Sequence, residues 1–249
     1  MTQFEHDKIK PFSEQGEKKQ QVAQMFDAIA PRYDFMNRFL SAGIDRIWRK
    51  KAILELVECR PLHLLDVATG TADMAIKASK ILVPRKIIGI DISPKMLEIG
   101  RKKVETEMLT DRIELVEGDS ETIKFNTNSF DAVMVAFGVR NFEHLEKGLS
   151  EILRVMRPGA KLVVLEFSRP QSLVIRKFYH LYMEQIAPFI AKLFRQNKKA
   201  YEYLNASARV FPERQQFTDI LREVGFSDTY FKPLSFGICC IYCGQKPGD

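Results

Sequence analysis

Residues 62–73 read Leu62-His63-Leu64-Leu65-Asp66-Val67-Ala68-Thr69-Gly70-Thr71-Ala72-Asp73. An apolar run of strand length ends in an acidic residue, passes through a short turn at Gly70 and enters the helical pattern of residues 74–78. A second apolar run, residues 87–90, ends in Asp91. An acidic residue at that place in a nucleotide-binding βαβ unit meets the ribose hydroxyls. The two segments together predict a nucleoside site.

The glycines and charges indicate which nucleoside fits. A dinucleotide site needs three glycines, but only Gly70 is present, and no Gly-Lys-Ser/Thr phosphate loop occurs. Four carboxylates are expected near the strand ends: Asp66, Asp73, Asp91 and Asp119. A phosphate ~4 Å from one carboxylate is repelled by ~4 kcal/mol at an effective dielectric of about 20. A positively charged nucleoside without phosphates fits better, and S-adenosylmethionine answers that description. An ordinary turn with solvated carboxylates is the alternative.

Length and composition limit the class of protein. The chain has 249 residues, of which 45% are hydrophobic and 28% charged, enough for the core of one α/β domain with additions. No apolar run has membrane-spanning length and no amino-terminal signal is evident, so a soluble cytoplasmic protein is expected. The net charge of +6 favours an anionic partner, either a nucleic acid or a membrane surface, with a merely solvated surface as the alternative.

The cysteines do not predict a metal site. Cys240 and Cys243 are spaced as CxxC, but they lie within a strand pattern. Residues three apart in a strand face opposite sides of the sheet. No metal is therefore expected.

The order of predicted elements indicates a parallel sheet. Strands are predicted at residues 62–66, 87–90, 112–116, 131–137, 161–165, 226–231 and 236–242. The first five alternate with helices, as in open α/β sheets with right-handed crossovers. Residues 1–12 are expected to be loose, and Pro31 to interrupt the first long helix. The alternation breaks at residues 170–210, which are helical in pattern and rich in aromatic and basic residues.

Several motifs carry a family resemblance. Residues 66–73, Asp91 and the Arg-Pro-Gly triplet at 157–159 look like the class I S-adenosylmethionine-dependent methyltransferases. Three further blocks narrow the match: residues 33–48, 137–141 and 154–168. Together they closely resemble the ubiquinone/menaquinone biosynthesis C-methyltransferase family, from about Val22 to the end of the chain.

The resemblance implies a fold and a cofactor. The expected fold is α/β and Rossmann-like, with a mainly parallel seven-stranded sheet whose last strand is antiparallel. Residues 1–60 would form an amino-terminal helical lid, and 61–249 the methyltransferase domain, with the helical insert at 170–210. The cofactor would be S-adenosylmethionine and the product S-adenosylhomocysteine. Residues expected to bind the cofactor are Asp66, Gly70, Thr71, Asp91, Asp119 and Ser120.

The implied reaction is C-methylation of a polyprenylated quinol ring, from demethylmenaquinol to menaquinol, with the benzoquinol of ubiquinone synthesis as the alternative substrate. Candidates for catalysis are Tyr33, Asp34, Arg140 and Asn141. An arginine is too basic to accept a proton, so Arg140 is expected to stabilise a phenolate or orient a water. Its alternative role is a salt bridge that closes the loop, and that of Tyr33 is packing.

Two positions depart from the family pattern. Ala72 stands where glycine is usual, and it is expected to hold a helical conformation. Asp45 stands where histidine is common, which weakens any mechanism that needs a histidine in the lid.

The resemblance implies a lipid-tailed quinol as a partner. The insert is expected to make peripheral contact with the inner face of the cytoplasmic membrane. No nucleic-acid partner is expected, since no RNA-binding module precedes the core. An RNA methyltransferase and a non-catalytic nucleoside-binding partner of a biosynthetic assembly stay open as rivals. The oligomeric state is left open, with a homodimer as one option.

Overall fold

A computed structural model describes residues 4–13, 15–41, 43–171 and 198–248. These residues form a seven-stranded sheet in the order β3-β2-β1-β4-β5-β7-β6. Its strands are β1 His63–Val67, β2 Lys86–Asp91, β3 Ile113–Glu117, β4 Phe130–Ala136, β5 Met156–Phe167, β6 Ser227–Leu234 and β7 Cys239–Gln245. Strands β1 to β5 are parallel, and β7 is antiparallel to both of its neighbours. The predicted mainly parallel sheet with an antiparallel last strand is confirmed.

Helices cover both faces of the sheet. They are α1 Glu5–Lys8, α2 Lys18–Leu40, α3 Asp45–Leu54, α4 Asp73–Leu82, α5 Pro94–Thr106, α6 Leu145–Val155, α7 Lys198–Val210 and α8 Gln215–Val224. Successive strand residues enter different cores: Leu64 packs with Trp48 of α3, whereas Leu65 packs with Leu149 of α6 and Phe217 of α8. Both faces of β1 are therefore buried, which explains its continuous apolar run.

The long helix α2 corrects the expected effect of Pro31. It runs from Lys18 to Leu40 with the proline inside it. Proline removes one backbone donor, but Met25 and Ile29 before it and Met36 after it are buried in one cluster with Met96 of α5. Packing on both sides of the proline thus outweighs the loss of one hydrogen bond.

The amino-terminal segment is also more ordered than predicted. Residues 5–8 form α1, and His6 is fully buried between the rings of Phe4 and Phe211, at centroid distances of 5.9 and 5.3 Å. The buried Lys18 ammonium donates to the His6 carbonyl over 2.7 Å. These contacts order the segment although its sequence shows no hydrophobic periodicity.

Each strand departs from its predicted bounds by at least one residue, and the starts of β5 and β7 show two physical reasons. Helix α6 ends at Val155 and β5 already begins at Met156, so the Arg-Pro-Gly triplet lies inside the strand, with a register irregularity against β4 and Gly159 at φ 77°. The last strand was predicted from residue 236, yet β7 begins at Cys239. Residues Ser235, Phe236 and Gly237 have positive φ and form a short 3-10 turn, so they cannot continue a strand.

The two cysteines of the CxxC pattern do lie on opposite faces. Cys240 belongs to one core cluster and Cys243 to the other. In the part of the chain that the structure describes, no group of three or more His, Cys, Asp or Glu residues is arranged to hold a metal ion.

Candidate functional site

A cavity lies at the carboxyl edge of the sheet, where β1, β2, β3 and β4 end. Its empty volume is about 650 Å³, part of it open to solvent. Helix α2 forms one wall through Lys19, Val22, Phe26 and Tyr33. The strand ends and the loops after them contribute Ala68, Gly70, Asp91, Ile92, residues 118–121, residues 136–138 and residues 141–143.

The predicted site residues divide into two groups. Those that line the cavity are Tyr33, Gly70, Asp91, Asp119, Ser120 and Asn141. Those found outside its lining are Asp34, Asp66, Thr71 and Arg140. The second group supports the walls from behind, through the contacts described below.

Asp91 ends β2 with its carboxylate beside the turn of the first strand. The N–H of Gly70 donates to Oδ2 over 2.8 Å, and the N–H of Ser93 donates to Oδ1 over 2.9 Å. Burial raises the pKa of Asp91 to about 6. A carboxylate can accept about four hydrogen bonds, so both oxygens keep capacity for two adjacent hydroxyls. These hydrogen-bond acceptors fit the hydroxyls of a nucleoside ribose.

A second carboxylate, Asp119, stands on the cavity wall after β3. Its Oδ1 accepts from the N–H of Glu121 over 2.9 Å, and Oδ2 lies 3.5 Å from the Lys19 ammonium of α2. A Cβ on the preceding Gly118 would lie 3.2 Å from Ile90, so backbone closely approaches β2 there. Two carboxylates on one wall suit amino, ammonium and hydroxyl groups better than phosphate.

The turn between β1 and α4 holds three left-handed residues, with φ of 54° at Ala68, 56° at Gly70 and 64° at Ala72. The expected helical conformation of Ala72 is therefore wrong. A left-handed conformation favours glycine, which explains why a glycine is usual here, and alanine adopts it at a cost of roughly 1–2 kcal/mol. The turn is nevertheless formed.

Asp66 lies fully buried beneath that turn. Its Oδ2 accepts from the Thr69 hydroxyl over 2.7 Å, and burial raises its pKa to about 7. Its Oδ2 holds the turn, and Asp66 does not line the cavity.

The lid helix is tied to the turn by a polar cluster that sequence reasoning missed. The Thr71 hydroxyl donates to Asp34 Oδ1 over 2.6 Å, and the Lys103 ammonium of α5 donates to Asp34 Oδ2 over 3.0 Å. Lys103 also contacts Asp73, and although burial opposes ionisation there, this contact lowers the pKa of Asp73. Asp34 and Thr71 thus fasten α2 to the turn. No signal in the sequence points to Lys103, one of several lysines on α5.

We expect Lys103→Met to lower the free energy of unfolding by about 2 kcal/mol, because two carboxylates lose a charged donor in a half-buried position. The adjacent Lys102 is a matched control, since it makes only an exposed pair with Glu98. Lys102→Met should change stability by less than about 0.5 kcal/mol. Urea unfolding measures both, and equal losses would show that the cluster does not hold the lid.

Arg140 is buried in the loop after β4 and pairs with the fully buried Glu166 of β5. Its Nη1 also donates to the Phe137 carbonyl over 3.0 Å, and the guanidinium stacks over Phe167 at 5.4 Å. Burial raises the pKa of Glu166, an effect that Arg140 opposes. The predicted alternative, a salt bridge that closes the loop, is thus present. The sequence does contain a signal for Glu166, because it is an acidic residue directly after the predicted strand 161–165.

Asn141 follows in the same loop and lines the cavity. Its Oδ1 accepts from the Tyr203 hydroxyl of α7 over 3.2 Å, and its Nδ2 lies 3.4 Å from the Phe137 carbonyl. Burial raises the pKa of both Tyr203 and Tyr33. Both phenols therefore stay protonated donors at neutral pH. Tyr203 is distant in sequence from the motifs, so only the fold identifies it.

We expect cofactor affinity to fall about tenfold between pH 7 and pH 5. The pKa of Asp91 is about 6, so acid protonates the carboxylate and removes an acceptor, whereas binding favours the ionised form. Calorimetric titration across this range measures the effect. Asp91→Asn should show no such dependence. A dependence that persists in this variant would assign the proton to Asp66 instead.

The mixed seven-stranded sheet, in which β7 lies antiparallel between β5 and β6, and the cavity at its carboxyl edge give the fold of a class I methyltransferase. The ubiE/COQ5 methyltransferase family matches residues 14–246 of the sequence. The chain belongs to this family.

Relatives match the chain along nearly its whole length. It is 44% identical over 243 residues to a demethylmenaquinone methyltransferase of Bacteroides fragilis, which covers 98% of this chain and 99% of the relative. It is 41% identical over 231 residues to a ubiquinone/menaquinone biosynthesis C-methyltransferase of Geotalea daltonii, covering 92% of this chain and 98% of the relative.

Solved structures share the fold at lower identity. A putative S-adenosylmethionine-dependent methyltransferase of Methanococcus maripaludis has a TM-score of 0.63 at 21% identity, covering 96% of this chain and 98% of that one. The putative methyltransferase in complex with the Trm112 activator of Haloferax volcanii has a TM-score of 0.65 at 16% identity, covering 92% and 98%. Within the described ranges, no helix combines the length and apolar character needed to cross a membrane.

Proposed function

We propose that the chain binds S-adenosylmethionine in the cavity at the carboxyl edge of the sheet. Asp91 would hold the ribose hydroxyls, Gly70 would allow close approach of the backbone, and Asp119 with Ser120 would contact the adenine side. The support is a pair of carboxylates on the cavity wall that can accept further hydrogen bonds. The sequence also contains no phosphate-binding glycine triad. Asp66 and Thr71 would act by holding the turn.

The proposed reaction is C-methylation of a polyprenylated quinol ring, from demethylmenaquinol to menaquinol, with the ubiquinone-pathway benzoquinol as the alternative substrate. The support is the family and the enzyme functions by which relatives that align over almost all of the chain are named. When bound, the sulfonium cofactor supplies a methyl group to a nucleophile. The ring carbon becomes nucleophilic only when a neighbouring hydroxyl donates electron density.

The residues of the chain would align the ring and stabilise its charge. Asn141 and Tyr33 line the cavity and can donate to ring oxygens. Arg140 is held through Nη1, and among the described residues Nη2 has no hydrogen-bond partner. That nitrogen would stabilise the developing phenolate. Helix α2 would exclude water, since its apolar side chains Val22 and Phe26 form one wall of the cavity.

The redox state of the ring tests this reaction. With a demethylmenaquinol analogue, labelled S-adenosylmethionine and dithionite, methylated product should form, while the oxidised analogue should give none. Calorimetry with the oxidised analogue present should still detect cofactor binding. Equal turnover of both rings would refute the carbon-nucleophile mechanism. Cofactor binding without product from the reduced ring would favour a non-catalytic partner, and methylated RNA would favour the RNA rival.

The lipid tail of the substrate leads to a proposal about location. We infer a protein of the cytoplasm that meets its substrate at the inner face of the membrane. Of the insert at residues 170–210, through which we predict membrane contact, residues 172–197 lie outside the described residues.

A further inference from the structure

Helix α3 has an outer face that the core does not use. Its inner face packs through Trp48, Ala52 and Ile53. The outer face consists of Ile44, Arg46, Ile47, Lys50, Lys51 and Leu54, all exposed. At 100° per residue these six positions cover about 160° of the helix circumference. The arc contains three basic and three apolar side chains.

The charge of this face is uncompensated. Arg46, Lys50 and Lys51 make no ion pair or hydrogen bond through their side chains within the described ranges. The neighbouring acids are already engaged: Asp45 is buried beside Arg49, and Glu55 binds Lys232 and Tyr230. Glu58 lies beyond the end of the helix. The outer face therefore carries three free positive charges between exposed aliphatic side chains.

A strained turn presents a further apolar side chain beside α3. Phe236 is 79% exposed and has φ 58°, between Ser235 at φ 45° and Gly237 at φ 91°. The Trp48 indole N–H donates to the Ser235 hydroxyl over 2.8 Å, which fixes the turn against α3. A large aromatic residue in left-handed backbone costs of order 1–3 kcal/mol, and such strain is often retained at binding surfaces.

This surface is close to the cavity. The Trp48 ring lies 6.5 Å from the ring of Phe137, which lines the cavity. The inner face of α3 thus contacts the cavity lining, and the exposed face lies on the opposite side of the same helix.

We propose that the outer face of α3, together with Phe236, is the surface by which the protein docks on an anionic lipid membrane. The bases would meet the headgroups while Ile44, Ile47, Leu54 and Phe236 enter the interface between headgroups and acyl chains. The inference rests on the proposed function in one respect, since a polyprenylated quinol resides in lipid. The combination of lysines and exposed aliphatic side chains differs from a protein interface, whose core is depleted in lysine.

Vesicle sedimentation tests the proposal with the full chain. Wild type should bind vesicles that contain phosphatidylglycerol, bind phosphatidylcholine vesicles weakly, and be released by salt. The triple variant Arg46→Gln, Lys50→Gln, Lys51→Gln should lose about 10²-fold in partition to anionic vesicles. Phe236→Ser should lose about tenfold.

Matched variants control for general charge and exposure. Arg85→Gln, Lys95→Gln, Lys124→Gln removes three exposed bases from other elements, and Met108→Ser removes a side chain that is 91% exposed. Both should bind as wild type does. Equal loss in the two triple variants, or failure of wild type to bind anionic vesicles, would overturn the proposal. Binding of RNA by this face in place of vesicles would also overturn it.

Turnover separates this proposal from the proposed reaction. In detergent, with a short-tailed reduced analogue, the α3 triple variant should keep the rate of wild type. With a long-tailed quinol embedded in anionic vesicles, its rate should fall in proportion to binding. No methylation in detergent by any form would refute the reaction and leave the docking result standing. Equal rates on vesicles despite lost binding would refute the docking role.

Discussion

Replacement of Asp91 by alanine is expected to weaken S-adenosylmethionine binding by ~10²-fold. One carboxylate would hold two ribose hydroxyls through charge-assisted hydrogen bonds, and the loss of both amounts to about 3 kcal/mol. Part of the loss comes from the turn, because the N–H groups of Gly70 and Ser93 lose their acceptor. Asp91→Asn keeps one such oxygen and should lose less. Isothermal calorimetry measures all affinities.

Asp27 provides the matched control for charge. It lies on α2, where its Oδ1 accepts from the Ser93 hydroxyl over 2.6 Å and from the N–H of Lys95 over 3.1 Å. Asp27→Asn removes a nearby negative charge but keeps an acceptor, and Asp27 does not line the cavity. Its affinity should stay within about threefold of wild type. If Asp27→Asn and Asp91→Ala weaken binding equally, Asp91 acts only through its charge.

Removal of Glu166 is expected to have the largest effect on stability. Glu166→Leu should lower the free energy of unfolding by about 3–5 kcal/mol, because it leaves the Arg140 guanidinium buried without its carboxylate. Chemical denaturation measures this loss. Glu213→Leu is the control, because Glu213 pairs with Arg169, which is more exposed than Arg140. Its effect on the free energy of unfolding should be smaller.

The double variant Arg140→Met, Glu166→Leu separates the two roles of Arg140. Replacing both members of a buried pair by apolar residues of similar size should restore most of the stability. Turnover should nevertheless stay ~10²-fold below wild type, with little change in cofactor affinity, if Nη2 stabilises the phenolate. Restored stability together with restored turnover would show that Arg140 only closes the loop.

The position of Asp34 illustrates why residue roles were harder to predict than the fold. Its place in a lid motif beside Tyr33 suggested catalysis, yet its carboxylate is occupied by Thr71 and Lys103. Tyr33, its neighbour in sequence, lines the cavity. Adjacent residues on a helix point about 100° apart, so membership of a motif does not determine which of them reaches a ligand.

The sequence by itself determined the sheet, because β1, β2, β4 and β5 contain apolar runs that alternate with helical patterns, and such local patterns depend on a few neighbouring residues. It also determined the acidic residue after β2 and the family. Only the tertiary structure decided the rest. Packing against α5 keeps α2 continuous through Pro31, and Ala72 adopts a left-handed conformation that its residue type does not favour. Lys103, Tyr203 and Glu166 reach the site from elements far apart in sequence, so no local pattern could reveal their contacts.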